Sequence, residues 1–364
     1  MATQPKLDTA IKFGAGRVRC EQNLLEQLGD EIARFSKKAL IVAGPTSWEV
    51  VRGKLEPALK EAGVDYQVEI WEGWCCFEGA EELAAKAAAA GCDEIVGIGG
   101  GKITDLAKAV GEVAHLGSIT IPTSASCCAP FTCMSVMYTA EGGKKTSWRF
   151  DHEIDACYMD MDVIANCPHR YNAAGILDAM AKKIEMLNGK PEMKIEDNPI
   201  DVYTAFNMAA YTYDVLHTYG LQAIEDNRQH KFTKTLNDVA FLNVITTGVI
   251  ANTTKSFRQS ELAHVIYDGV RTHFTHEAAH SIHGEIVAVG LFCQLYFNGL
   301  QDKEAELREF MRKMDLPLTL GELGVEPTEK NLNTIEEYIV NSRHYNSTDP
   351  ADRQRLHEAV REMA

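Results

Sequence analysis

Up to residue 167 the chain alternates short apolar, β-favouring runs with longer stretches of helical periodicity. The succession is KALIVAG, WEVVRGKLEPALKEAG, YQVEIW, GAEELAAKAAAAG, EIVGIG, GGKITDLAKAV and GSITIPT. This alternation predicts a parallel sheet with helices on its faces. SVMYTAEGGKKTSWRF then alternates polar and apolar residues on either side of Glu141-Gly142-Gly143, which predicts a β-hairpin. Beyond Pro168 the strand-like runs stop. Residues 171–188, 202–219, 232–252, 285–298 and 328–340 all repeat their apolar positions at helical spacing. The pattern therefore predicts an α/β domain over residues 1–167 and an all-α domain over 168–364. NGKPEMKIEDNPID is polar and proline-containing and reads as a surface loop. No internal repeat is visible, and the alanines of 84–90 read as plain helix.

The stretch VGIGGGKITDLAKAV joins a buried strand to a helix through three consecutive glycines. It fits neither common glycine-rich motif: G-x-G-x-x-G would need glycine at Lys102, and the P-loop would need glycine at Val96 and Ser or Thr at Ile103. Its physics is nonetheless that of an anion cradle. The first turn of the helix offers free N–H groups and the positive end of its dipole, and residues without Cβ let a phosphate approach. The competing reading is a tight strand-to-helix turn in which the glycines serve only packing.

Composition narrows the partners. The 364 residues, 45% hydrophobic and 24% charged, suit a globular chain of two domains. A formal charge of −16 argues against nucleic acid or an anionic membrane, either of which needs a basic face, and leaves small molecules. No apolar run approaches a membrane span, and MATQPKLDTAIKF lacks the apolar centre of a signal peptide, so the cytoplasm is the expected location. Ten cysteines without any C-x-x-C spacing then predict reduced thiols rather than disulfides or a cysteine zinc site.

The histidines offer two metal chemistries. His276-Glu277-Ala278-Ala279-His280 fits the H-E-x-x-H zinc-peptidase motif, with Glu304 or Glu306 as the only guesses for a third ligand. The preceding RTHFT has no amphipathic helical pattern, so nothing puts both imidazoles on one face, and the peptidase reading is disfavoured. His264 in ELAHVIYDGV and His283 in HSIHGEIVAVG lie at the edges of helical segments, and Asp178 in AGILDAMAKKIE could join them. Two imidazoles and one carboxylate suit a catalytic metal with an open position. Each of these residues, taken alone, also reads as an ordinary hydrogen-bonded or solvated side chain.

The ordered set GIGGGKITD, IPTSAS, APFTCMSVMYT, AAGILDAMAKKIE, LAHVIYDGV and HGEIVAVG resembles the glycerol dehydrogenase branch of the iron-containing alcohol dehydrogenase superfamily. The resemblance runs along nearly the whole chain. It implies a Rossmann-like amino-terminal α/β domain, an all-helical carboxyl-terminal domain of the dehydroquinate synthase-like fold, and an active site in the cleft between them. It further implies that Gly99, Gly100, Gly101, Lys102 and Asp105 cradle a cofactor pyrophosphate. Thr123, Ser126, Thr132, Met134, Val136 and Tyr138 would line the nicotinamide and ribose pocket, and Asp178, His264 and His283 would bind one divalent metal. Such an ion polarises the substrate oxygen while hydride passes to or from nicotinamide. Four-ligand relatives carry a histidine one turn after the aspartate. Here that place is Lys182, while Asp268 follows His264 by one turn, so a three-ligand site is expected, with zinc ahead of iron. The expected partner is a small-molecule substrate, in a homo-oligomeric enzyme.

Two departures bear on specificity. Gly44 ends KALIVAG where NAD-preferring relatives place an acidic residue, so NADP is expected to be tolerated or preferred over NAD. Cys128 stands where glycerol dehydrogenases have an aspartate that contacts the polyol, and Lys255 and Arg258 stand where those enzymes are neutral. A thiol in place of an anion is similar to the hydroxycarboxylate dehydrogenase relatives and makes a 2-hydroxy acid/2-oxo acid pair credible. The alternatives are glycerol or another vicinal diol, with Cys128 merely packing, and, in another class, a nucleotide-binding regulator without catalysis. A lyase of the dehydroquinate synthase kind would need a basic phosphate pocket that is not found here.

Overall fold

The computed structural model describes residues 10–254 and 260–364. The order of elements is β1 (Ala15–Glu21), α1 (Leu28–Ile32), β2 (Lys38–Ala43), α2 (Pro45–Glu61), β3 (Asp65–Ile70), α3 (Phe77–Ala90), β4 (Glu94–Gly99), α4 (Gly101–Ala114), β5 (Gly117–Pro122), β6 (Met134–Tyr138), β7 (Lys144–Arg149), β8 (Ile154–Asp160) and α5 (Met161–Asn166). Helices alone follow among the described residues: α6 (His169–Leu187), α7 (Ile200–Arg228), α8 (Lys234–Phe241), α9 (Thr247–Thr253), α10 (Leu262–His273), α11 (His283–Phe297), α12 (Glu304–Lys313), α13 (Glu329–Val340) and α14 (Pro350–Arg361).

Six strands pair in parallel in the order β1-β8-β5-β4-β2-β3. Side chains of successive strand residues point to opposite faces, and both faces are covered. Ile41, Ile98 and Ile121 meet Leu28, Val51 and Leu55 of α1 and α2. On the other side Leu40, Val42 and Ile95 meet Leu83 of α3 and Leu106 and Val110 of α4. Burial on both faces is why these strands read as continuous apolar runs. The chain leaves β2 toward β3 and leaves β4 toward β5, on opposite sides of that adjacent pair. A crevice therefore opens beyond the carboxyl ends of β2 and β4, where open α/β sheets bind ligands.

Strands β1 and β8 go beyond the expected set. In β1, AGRVRCE places Arg17 and Arg19 on an edge, where they pair with Glu31, so its apolar content is thin. The expected hairpin is present as β6 and β7, an antiparallel pair separate from the main sheet. The 232–252 segment is α8, a π-helical turn at Leu242–Thr246 and α9 in succession. Helix α7 runs to Arg228, nine residues past the expected 219, and α5, α12 and α14 are additional. The helices bury a second core that includes Ile176, Met180, Ile266, Ile286 and Val289. No helix among the described residues is long and apolar enough to cross a membrane.

Candidate active site

Strand β4 ends at Gly99 and α4 begins at once, with Gly100 as its N-cap. The glycines divide the labour. A Cβ at Gly97 would lie 2.5 Å from Ala107 Cβ, so this position lets α4 settle on its own strand. A Cβ at Gly100 would meet nothing within 4 Å, leaving an open approach to the first turn of α4. The packing reading applies at Gly97, and Gly100 leaves the space that an anion cradle would need. Gly44 caps α2 on the other side of the crevice, and its N–H donates to Ile98 O at 3.3 Å. A side chain there would meet only Ser47 and Ile103, at 3.5 and 3.7 Å. Thr123 shares a 3.2 Å hydroxyl contact with Ser47 of α2, Ser126 shares one of 3.2 Å with Ser124, and Lys102 lies over the Trp74 ring at 4.3 Å.

Asp105, Thr132 and Val136 build the wall of the crevice through one buried network. Asp105 is buried on α4, accepts from Val136 N at 2.9 Å and pairs with Lys108 Nζ at 2.9 Å. Lys108 donates to the carbonyls of Ala129 at 2.6 Å, Thr132 at 2.9 Å and Met134, and contacts the Thr132 hydroxyl at 3.3 Å. A lysine in an apolar helix ordinarily reads as a surface residue. Here its ammonium replaces water for carbonyls that would otherwise be buried without donors. Tyr138 meets Tyr267 of α10 through their hydroxyls at 2.6 Å, and the Tyr267 ring sits edge-on to His283 at 4.3 Å.

Asp178 on α6, His264 on α10 and His283 at the start of α11 converge. One candidate ligand atom from each lies within 4.8 Å of the others, and no second such group includes His276, Glu277 or His280 among the described residues. Asp178 Oδ1 is 3.2 Å from His264 Nε2 and 3.6 Å from His283 Nε2. The donor set of two imidazoles and a carboxylate fits a divalent transition metal. Burial opposes ionisation of Asp178, but Lys182 and the two histidines outweigh it and hold the carboxyl well below its usual range.

Glycines bring the three helices this close. A Cβ at Gly284, beside His283, would come 2.2 Å from Ala174 O of α6. One at Gly290 would come 3.0 Å from Ala263 Cα, beside His264, and one at Gly175 would come 1.9 Å from Ala125 O in the loop after β5. Asn172 and Asn243 clamp that loop from the helical half, accepting from Ala125 N at 2.9 Å and donating to Ala125 O at 3.1 Å.

Two further residues of α6 complete the cluster. Glu185, fully buried, accepts from His264 Nδ1 at 2.6 Å, from His264 N at 2.9 Å and from Glu261 N at 2.7 Å. Nδ1 is thereby committed as donor, and Nε2 presents its lone pair toward Asp178 and His283, the usual role of a carboxylate behind a ligating imidazole. Lys182 Nζ is 3.2 Å from Asp178 Oδ1 and 3.0 Å from His264 Nε2. Burial lowers its pKa, and Asp178, Cys128 and Glu185 together more than reverse this. Positions 178, 182 and 185 share one helix face, a spacing visible in AGILDAMAKKIE, though nothing in the sequence says that this face turns inward.

Cys127 and Cys128 bridge the two centres. Cys127 Sγ would lie 2.8 Å from a Cβ at Gly101, while Cys128 senses the charges of Asp178 and Lys182. Burial and Asp178 push the Cys128 thiol up to about 12, so it is neutral. Lys255 and Arg258 lie outside the described residues. His276, Glu277 and His280 are exposed on a turn after α10, not on a helix. Glu304 and Glu306 pair with Arg308 and His217, so the peptidase motif assembles no site. Asp268 binds Lys144 at 2.7 Å, which ties α10 to the hairpin.

Residues 15–156 match the family described as iron-containing alcohol dehydrogenase. The chain is 30% identical over 325 residues to a glycerol dehydrogenase of Thermotoga maritima, an alignment covering 86% of this chain and 82% of that protein. The chain belongs to the iron-containing alcohol dehydrogenase family. It is also 27% identical to a glycolaldehyde reductase of Halobacterium salinarum, over 91% of this chain and 90% of that one. Hydroxycarboxylate dehydrogenase A of Escherichia coli shares 29% identity, over 83% and 79%. A crystal structure of a probable glycerol dehydrogenase from Sinorhizobium meliloti has the same fold, with a TM-score of 0.82 at 24% identity and coverage of 96% and 98%. As a member of the iron-containing alcohol dehydrogenase family, the protein is a metal-dependent, NAD-linked oxidoreductase that interconverts a small alcohol and its carbonyl.

Proposed function

We propose that the enzyme works on a 2-hydroxy acid/2-oxo acid pair, with Asp178, His264 and His283 holding zinc in preference to iron. Residues 1–167 carry the cofactor and residues 168–364 the metal. Gly99, Gly100, Gly101 and Lys102 face the pyrophosphate; Asp105 stands behind them. Gly44, Thr123, Ser126, Thr132, Met134, Val136 and Tyr138 shape the ribose and nicotinamide side. Without a carboxylate at Gly44, NADP is accepted as well as NAD. The bound ion supplies Lewis acidity to the substrate oxygen, and the nicotinamide supplies or takes the hydride. The chain's own contribution is placement: Glu185 fixes the His264 tautomer, Lys108 holds the 129–134 wall, and the Cys127–Cys128 loop sets the substrate between turn and metal cluster. Ten free cysteines support a reducing compartment such as the cytoplasm.

The observation that carries the substrate class is Cys128, a neutral thiol beside Asp178 where a second carboxylate would repel an acid. Cys128→Asp is expected to lower kcat/KM for 2-oxo acids by roughly 10- to 1000-fold more than for neutral aldehydes, the size of a like-charge contact in a partly dry cleft. Equal losses on both classes would refute the acid reading. The second reading, a neutral vicinal diol such as glycerol, draws on the name of the 30% identical relative. It predicts a wild-type preference for glycerol over every 2-hydroxy acid.

A further inference from the structure

An acid substrate needs a positive partner beyond the metal, and among the described residues one cation is built into the cluster. Lys182 Nζ lies 3.2 Å from Asp178 Oδ1 and 3.0 Å from His264 Nε2, and its side chain is 3% exposed. Such burial is costly for an ammonium unless each donor is matched. An ammonium has three N–H donors, and Asp178 and His264 account for two of them. The third has no hydrogen-bond partner among the described residues, and a metal held at His264 Nε2 would release the second as well; Cys128 is near enough to act on Lys182 electrostatically.

Charge balance points the same way. Around the cluster, the carboxylates among the described residues include Asp178, Glu185 and Asp105; Asp105 is paired with Lys108, and Glu185 is spent on His264 and the N–H of Glu261. When Asp178 serves a divalent ion, Lys182 loses the undivided attention of its counter-ion, while Cys128 stays a neutral thiol. The site is then short of negative charge. In a 2-oxo acid the carboxylate sits on the carbon next to the carbonyl, so a carbonyl brought to the donor set carries its carboxylate to the neighbouring ammonium. A diol has no group to fill that place.

We propose that Lys182 is the residue that receives the substrate's carboxylate and so sets the preference for acid over neutral substrates. The inference rests on the acid reading above. Its test compares the metal-loaded wild type with Lys182→Met and Lys182→Arg on 2-oxobutanoate and on propanal, the same carbonyl without its carboxylate, with metal content measured for each protein. Lys182→Met is expected to lower kcat/KM for 2-oxobutanoate at least tenfold more than for propanal, chiefly through KM, with metal retained, and Lys182→Arg to keep most of the preference. The dissociation constant of oxamate, an unreactive analogue, measured by calorimetry with cofactor bound, is expected to rise in parallel in Lys182→Met. An unchanged substrate ratio and oxamate affinity would overturn the proposal, as would loss of metal with both substrates falling together. A wild type that turns over propanal but no 2-oxo acid would instead overturn the acid reading, and the role of Lys182 with it.

Discussion

Glu94→Gln is expected to make the protein more stable, and increasingly so as pH rises. Glu94 opens β4 with 3% exposure, and its Oε1 has no hydrogen-bond partner among the described residues. Gly117 is pinched between two acids: a Cβ there would fall 2.6 Å from Glu94 Oε2 and 1.9 Å from Asp155 Oδ2. Burial first, then the charges of Asp155 and Asp93, raise the Glu94 carboxyl from 4.5 to about 8, against a weaker opposing bond from Ile95 N–H. Asp155 is itself raised by burial, with the Ser118 N–H and His152 pulling the other way. Between those two values the unfolded chain gives up this proton and the native chain keeps it, so native stability falls as pH rises from about 4.5 to 8. At about 1.4 kcal/mol per pH unit the loss reaches about 3 kcal/mol by pH 7. Glutamine does not titrate, and its amide can donate to Asp155. Urea unfolding at pH 5, 6, 7 and 8 would show the variant within about 1 kcal/mol of the wild type at pH 5 and ahead by about 4 kcal/mol at pH 8. A difference that is constant across this range would refute the reasoning.

Glu185→Gln keeps the backbone contacts but removes the charge behind His264; metal affinity, read by chelator competition, should fall roughly 10- to 100-fold with little change in melting temperature. His283→Ala should abolish activity and metal content together while His276→Ala changes neither, and metal analysis of both variants checks this; metal loss from His276→Ala would revive the peptidase motif. Gly44→Asp should shift the ratio of kcat/KM toward NAD, because the position has room for a side chain and a carboxylate there repels a 2′-phosphate; an unchanged ratio would mean that Gly44 does not face the ribose.

The alternating half of the chain was legible because β2, β4 and β5 are buried on both faces and announce themselves as apolar runs. Strand β1 was not, since its arginines answer to Glu31, a partner 12 to 14 residues away. The convergence of Asp178, His264 and His283 followed from motif order, but the residues that support them did not. Lys108 and Glu185 are charged positions on helices, and sequence periodicity cannot tell a charge facing solvent from one facing a buried carbonyl or imidazole. The H-E-x-x-H match failed for a visible reason: the segment before it has no helical stripe, and it lies on an exposed turn.

Gly175 and Gly284 each mark a place where two backbones meet with no room for a methyl group, and at Gly290 a methyl group would press on Ala263. The spacing of the donor atoms is thus written in main-chain contacts rather than in the donors themselves. Replacing one of these glycines would shift whole helices and move every donor at once. The geometry of the cluster is therefore held by positions that carry no side chain at all, whatever side chains line the cleft.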